Sequence, residues 1–201
     1  MILGCCVTTL FCWVWYFAVI YTGAASYLSG SEAERWTGEA LDTLDDDAWY
    51  KFHNVLFDDS FDGIRYRMDV DHVAVGAYGA IVLETKYSSK RLDLNAPQLD
   101  RVVLEAADQI ERNAGRIRGL LQRDAPDVPV VPVVIYWGRF VEPPKGSRRR
   151  LGDVRLVHGG QANDWLALLA SRVRVAPESV DRAASKIDSY IRQQEIRTHS
   201  R

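Results

Sequence analysis

Three residues in two neighbouring segments carry the strongest chemical signal in this chain. They are Asp71 in Asp69-Val-Asp-His-Val-Ala-Val75, and Glu84 and Lys86 in Ala80-Ile-Val-Leu-Glu-Thr-Lys86. Both segments alternate in the manner of strands, and side chains on a strand point to opposite faces at successive positions. Asp71 therefore shares a face with Val73 and Val75. Glu84 and Lys86 share a face and stand about 6.6 Å apart along their strand. A hairpin through Gly76-Ala-Tyr-Gly79 brings the acid of the first segment beside the pair of the second. Two carboxylates meeting at a strand end make a hard-oxygen site suited to Mg²⁺ or Mn²⁺. A lysine beside them can orient water and offset developing negative charge. Phosphodiester cleavage asks for that combination of metal and cation.

The elements that must position these residues are legible in outline. Ser31-Glu-Ala-Glu34 has the form of a capping box and predicts a helix from Ser31 to about Leu44, with Trp36, Ala40 and Leu44 on one face. Trp49 to Phe57 reads as a strand, Asp58 to Gly63 as a turn, and Met68–Val75 and Ala80–Lys86 as hairpin partners. Tyr87 to Ala96 reads as a loop. Pro97 opens a long helix to about Arg123, with an apolar stripe through Leu99, Val102, Val103, Ala106, Ile110, Ala114, Ile117, Leu120 and Leu121. Val130 to Trp137 is a continuous apolar run, as in a buried strand. A basic loop from Val141 to Gly152, a short strand from Asp153 to Val157 and helices at about 163–171 and 177–194 complete the chain. This order implies an α/β fold, a mixed sheet with helices packed on it.

Alone, an Asp followed by Glu-x-Lys is a common pattern, and exposed strand charges explain it as readily. With its surroundings it resembles the signature of the PD-(D/E)XK nuclease superfamily, and more closely that of the nuclease-related domain (NERD) family. Gly38-Glu39 looks like that family's opening element. Val70 to Lys86 looks like its central hairpin, and Gln109-Ile-Glu-Arg-Asn-Ala-Gly-Arg-Ile-Arg-Gly-Leu-Leu121 like its following helix. The resemblance covers about Gly38 to Trp137 and implies a restriction-endonuclease-like sheet. It implies Asp71, Glu84 and the Thr85 carbonyl as metal ligands and Lys86 as the catalytic lysine. It brings Glu39 to the same site from the first helix, as ligand or water-holder, and turns Gln109 toward it from the long helix. The lead-in Leu104-Glu-Ala-Ala-Asp108 lacks the proline common in the family before that glutamine. His72, of opposite parity to Asp71, reads as structural or surface. Tyr136 and Trp137 read as core.

Composition bounds the rest. The 201 residues suit one domain with an appendage. A formal net charge of −2 excludes a uniformly cationic nucleic-acid binder. Charge is uneven: nine acids against three bases lie between Asp42 and Asp71, and six bases against two acids between Arg139 and Arg155. Arg148-Arg149-Arg150 suits either phosphates or solvent. Cys5, Cys6 and Cys12 are the three cysteines, so no disulfide staples the domain and no zinc spacing arises. No charged side chain precedes Glu32. Residues 5–28 are apolar over a length that spans a bilayer, and a single-pass anchor is expected over a cleaved signal peptide. The division expected is an anchor over 1–30, the nuclease-like domain over 31–157 and a helical extension over 158–201. The function expected is a membrane-anchored, metal-dependent nuclease facing the cytoplasm and acting on DNA. The alternatives are a non-catalytic module binding nucleic acid or protein, and a structural adaptor.

Overall fold

A computed structural model describes residues 24–61, 64–94, 96–140, 149–162, 165–166 and 174–199. The elements are α1 (Ala24–Asp42), β1 (Trp49–Phe61), β2 (Ile64–Gly76), β3 (Gly79–Leu92), α2 (Arg101–Leu121), β4 (Val130–Phe140), β5 (Arg149–Leu151), β6 (Val154–His158) and α3 (Pro177–His199). The strands form one six-stranded sheet in the order β1-β2-β3-β4-β6-β5. β1, β2 and β3 are antiparallel neighbours, and β5 is antiparallel to β6. β4 runs parallel to both β3 and β6. The mixed α/β sheet follows from the connections: tight turns join antiparallel strands, whereas β3 reaches its parallel neighbour through the crossover helix α2.

Strand alternation sorts the core into two layers. Val73, Val75, Ala80, Val82, Val134 and Tyr136 meet α2 and α3 on one face. Ala74, Ile81, Leu83, Val133 and Ile135 meet Leu41 of α1 and Trp165 on the other. On α2 the stripe Val103, Ala106, Ile110, Ala114, Ile117 and Leu121 is buried, while Val102 stands 54% exposed. The C-terminal helix belongs to the same core: Val180, Ala183 and Ile187 join the α2 layer, and Tyr190 stacks on Phe57 with ring centroids 4.9 Å apart. Ile187 is fully buried. Ile187→Ala is accordingly expected to cost about 2–5 kcal/mol, read as a lower denaturant midpoint. A loss under about 0.5 kcal/mol would mean that α3 is not part of the cooperative unit.

The elements run longer than their sequence signals. β1 and β2 extend to Phe61 and from Ile64, because the ladder continues through residues with turn character; Asp58 lies opposite Arg67 there. β3 continues to Leu92, pairing past a register shift with β4 as far as Phe140. Gly138 makes that pairing possible. Its φ is +117°, and a Cβ there would sit 2.0 Å from the Ser88 carbonyl oxygen. The long helix opens at Arg101, where the Asp100 carbonyl accepts from Val103 and Leu104, rather than at Pro97.

The span expected over residues 5–28 lies outside the described residues except for positions 24–28, which begin α1. Among the described residues no helix is long and apolar enough to cross a membrane. Arg148 and most of the basic loop, together with most of the expected helix at 163–171, also lie outside them.

Candidate active site

The site forms where the β2–β3 ladder ends. Its last pair is His72 with Leu83, so the next positions, Asp71 and Glu84, face each other across strands that have begun to part. The β1–β2 ladder also lapses at Asp71. It skips from His53–His72 to Val55–Val70, and Asn54 between them adopts a left-handed backbone with φ of 54°. Asparagine tolerates that region better than most residues. Asp71 is therefore freed on both sides. Its Oδ2 accepts a hydrogen bond from the Thr85 N–H at 2.6 Å, tying the acid to β3.

Glu84 is 2% exposed and fully engaged. Lys86 Nζ donates to its Oε1 at 2.6 Å, and Asn113 Nδ2 donates to its Oε2 at 3.2 Å. Asn113, buried on α2, also approaches the Asp69 carbonyl, and its own Oδ1 accepts from Arg116. Asp71, Glu84 and Lys86 thus lie on the face covered by α2, as their strand parity requires. His72 lies on the other face. It is 5% exposed, and its Nδ1 is 2.7 Å from that of His53.

A second network locks the opposite face. The Thr37 hydroxyl, fully buried on α1, accepts from Thr85 Oγ1 at 3.1 Å and from Trp137 Nε1 at 2.8 Å, and donates to the Ala33 carbonyl. One hydroxyl thereby joins α1, β3 and β4 immediately behind the site. Thr37→Val removes the acceptor while keeping the shape. It is expected to destabilise the fold by about 1–3 kcal/mol, measured by chemical denaturation. An unchanged midpoint would mean that both donors find other partners.

The electrostatics are those of crowded acids. Burial, then the charge of Glu84, pushes the Asp71 carboxyl up to about 8. Burial also raises Glu84, against the lowering effect of Lys86. Glu34, half-buried on α1, is raised by burial and by Asp69, and its charge bears on both Asp71 and Glu84. Two buried carboxyls facing each other ionise together only when a cation offsets them.

Two expected contributors are placed differently. Glu39 lies on the outer side of α1, exposed and ion-paired with Arg35. The buried stripe of that helix is Ala33, Thr37 and Leu41, and at 100° per residue Glu39 stands about 160° from its midline. The acid that α1 offers is Glu34. The helix runs through Ser31 instead of starting there, so Glu34 is a mid-helix side chain rather than the closing half of a cap. Gln109 is half-buried one turn before Asn113, and it is Asn113 that bonds Glu84. The sequence signals for these replacements were available. Asn113 follows Gln109 by four positions, hence on the same helical face. Asp69 shares the parity of Asp71.

Among the described residues no three His, Cys, Asp or Glu side chains already stand at the spacing of a metal's ligand shell. The Thr85 N–H and hydroxyl are both used in the fold. Asp71 and Glu84 nonetheless fit a hard divalent cation: they are oxygen donors, opposite in register, and carry more buried negative potential than Lys86 offsets. A fully buried phenol, Tyr136, follows in register beside Lys86, and its hydroxyl has no hydrogen-bond partner.

No curated protein and no solved structure matches the chain. A family match does exist, and it spans α1 to β4, the segment that builds the site. Residues 29–137, more than half of the sequence, match the nuclease-related domain, NERD, and the chain belongs to that family.

Proposed function

We propose that the protein is a divalent-metal-dependent nuclease that hydrolyses phosphodiester bonds, with DNA as substrate, on a restriction-endonuclease-like arrangement of the sheet. The observation that carries this reading is the buried pair Asp71 and Glu84, facing each other with raised pKa and with Lys86 in contact. Mg²⁺ or Mn²⁺ would be held by Asp71 and Glu84, with the Thr85 carbonyl completing the protein's share. When bound, such a cation polarises the phosphate and acidifies water.

The chain's own residues then have defined tasks. Asp71 is aimed by the Thr85 N–H. Glu84 is held by Asn113 from one side and Lys86 from the other. Lys86 is half-buried and tied to one oxygen only, so it can turn from Glu84 to the scissile phosphate and offset charge that develops there. Glu34 adds a third acid at the rim, able to hold a water rather than close the shell. Anchoring through residues 5–28, with the domain on the cytoplasmic side, is part of the proposal and rests on the sequence.

The test is cleavage of supercoiled plasmid by the full chain in detergent, with Mg²⁺, Mn²⁺ or EDTA. Metal-dependent nicking is expected. A second reading draws on the completeness of the Lys86–Glu84–Asn113 network, which satisfies itself as a structural cluster does. It describes a non-catalytic module binding nucleic acid or protein. DNA binding without cleavage under any metal would favour it.

A further inference from the structure

Among the described residues, Tyr136 is the one large polar side chain in the α2-facing core whose hydroxyl the fold leaves unused. The residue is 0% exposed and its Oη has no partner. A buried unpaired hydroxyl is disfavoured, and phenylalanine would fill the same space without that cost. On β4 it pairs in register with Lys86, while Glu84 pairs with Val134, two residues earlier. Glu84, Lys86, Val134 and Tyr136 therefore share one face, and Tyr136 is a diagonal neighbour of Glu84. Burial, and then the negative charge of Glu84, keeps the phenol protonated, so its O–H is available to donate to a carboxylate, which can only accept. The oxygen that needs a donor is also identifiable. Glu84 Oε1 depends on Lys86 alone, and Oε2 on Asn113.

We propose that Tyr136 is a positioning residue that takes the place of Lys86 as hydrogen-bond donor to Glu84 when the lysine turns to substrate. The proposal rests on the nuclease reading above. The exchange moves no proton: Lys86 keeps its charge for the phosphate, and the phenol O–H keeps the carboxylate aimed. The orphaned hydroxyl of the resting arrangement is then the donor held for the working one.

Tyr136→Phe in the full chain separates this from a structural role. The variant is expected to be as stable as the wild type or more so. With a non-cleavable DNA duplex bound, its Mn²⁺ affinity is expected to fall about tenfold by titration calorimetry, and its plasmid-nicking kcat about tenfold or more, with KM for DNA little changed. Mn²⁺ affinity and kcat both within twofold of wild type would overturn the role while leaving the nuclease reading intact. Activity lost only in parallel with thermal stability would also overturn it, by showing that the ring and not the hydroxyl matters. A wild-type chain that neither binds Mn²⁺ nor cleaves DNA would overturn the nuclease reading itself, and this role with it.

Discussion

Lys86→Ala is expected to lower metal-dependent DNA cleavage by about 10²–10³-fold while leaving the fold and Mn²⁺ binding in place. The magnitude is that of deleting one preorganised donor aimed at developing charge. The fold should persist because Lys86 is half-buried at the end of the β2–β3 ladder and contributes no core packing. Metal binding should persist because Asp71 and Glu84 remain. The variant also has a signature that simple damage would not give. Lys86 lowers the Glu84 pKa by charge and by hydrogen bond. Without it the carboxyl holds its proton to higher pH, so residual activity should rise at more alkaline pH than in wild type. Lys86→Arg keeps the charge but not the compact ammonium, and should retain part of the rate. A Lys86→Ala chain that cleaves at the wild-type rate would remove the lysine from the chemistry.

Much of this site was legible because strand geometry is a short-range rule. Alternation alone put Glu84 and Lys86 on one face and His72 on the other, and the Gly76-Ala-Tyr-Gly79 turn fixed which strands meet. The mixed α/β sheet followed from the same pattern and from one helix long enough to cross over. What failed was phase and extent. The capping-box pattern at Ser31 predicts a helix start, yet the helix continues through it. Separately, Glu39, which the family resemblance brings to the site, stands on the outer side of that helix, and Glu34 is the acid that bears on Asp71 and Glu84. Helical phase can be read only once the buried stripe is known, and Thr37 gave no apolar signal although it sits at its centre. The end of β3 was missed for a related reason: Ser88 to Leu92 has little strand character of its own and is ordered by β4, whose Gly138 lets the backbones close. The left-handed Asn54 opposite Asp71 is marked only by its residue type, an asparagine inside a strand-like run, which does not by itself fix the backbone there.

The stability of the metal-free protein should fall as pH rises from about 4 to about 8, and Mg²⁺ should reverse the loss. The sign follows from Asp71. Its carboxyl is raised from 3.8 to about 8 in the folded chain. Below pH 4 both folded and unfolded states hold the proton, and the group's contribution is at its maximum. Above that, the unfolded chain ionises freely while the folded one keeps its proton, so the unfolded state gains until the folded carboxyl ionises near pH 8. At about 1.4 kcal/mol per unit, and allowing for relaxation around the coupled Glu84, the loss is on the order of 2–4 kcal/mol. A cation that binds the ionised pair only in the folded state adds back RT ln(1 + [L]/Kd), about 2.7 kcal/mol at a hundredfold excess over Kd. At roughly 2–4 °C per kcal/mol for a chain of this size, Mg²⁺ should raise Tm by about 5–10 °C at pH 8 and hardly at all at pH 5. Other carboxyls titrate over the same range, so the comparison that isolates this one is wild type against Asp71→Asn. The variant should lose both the pH slope due to Asp71 and the Mg²⁺ shift, and at pH 8 without metal it should be the more stable of the two. That outcome would mean that Asp71 is kept at a cost to the fold, which is expected of a ligand and not of a structural acid. Equal pH slopes in the two proteins, or a Mg²⁺ shift that survives in Asp71→Asn, would place the metal elsewhere.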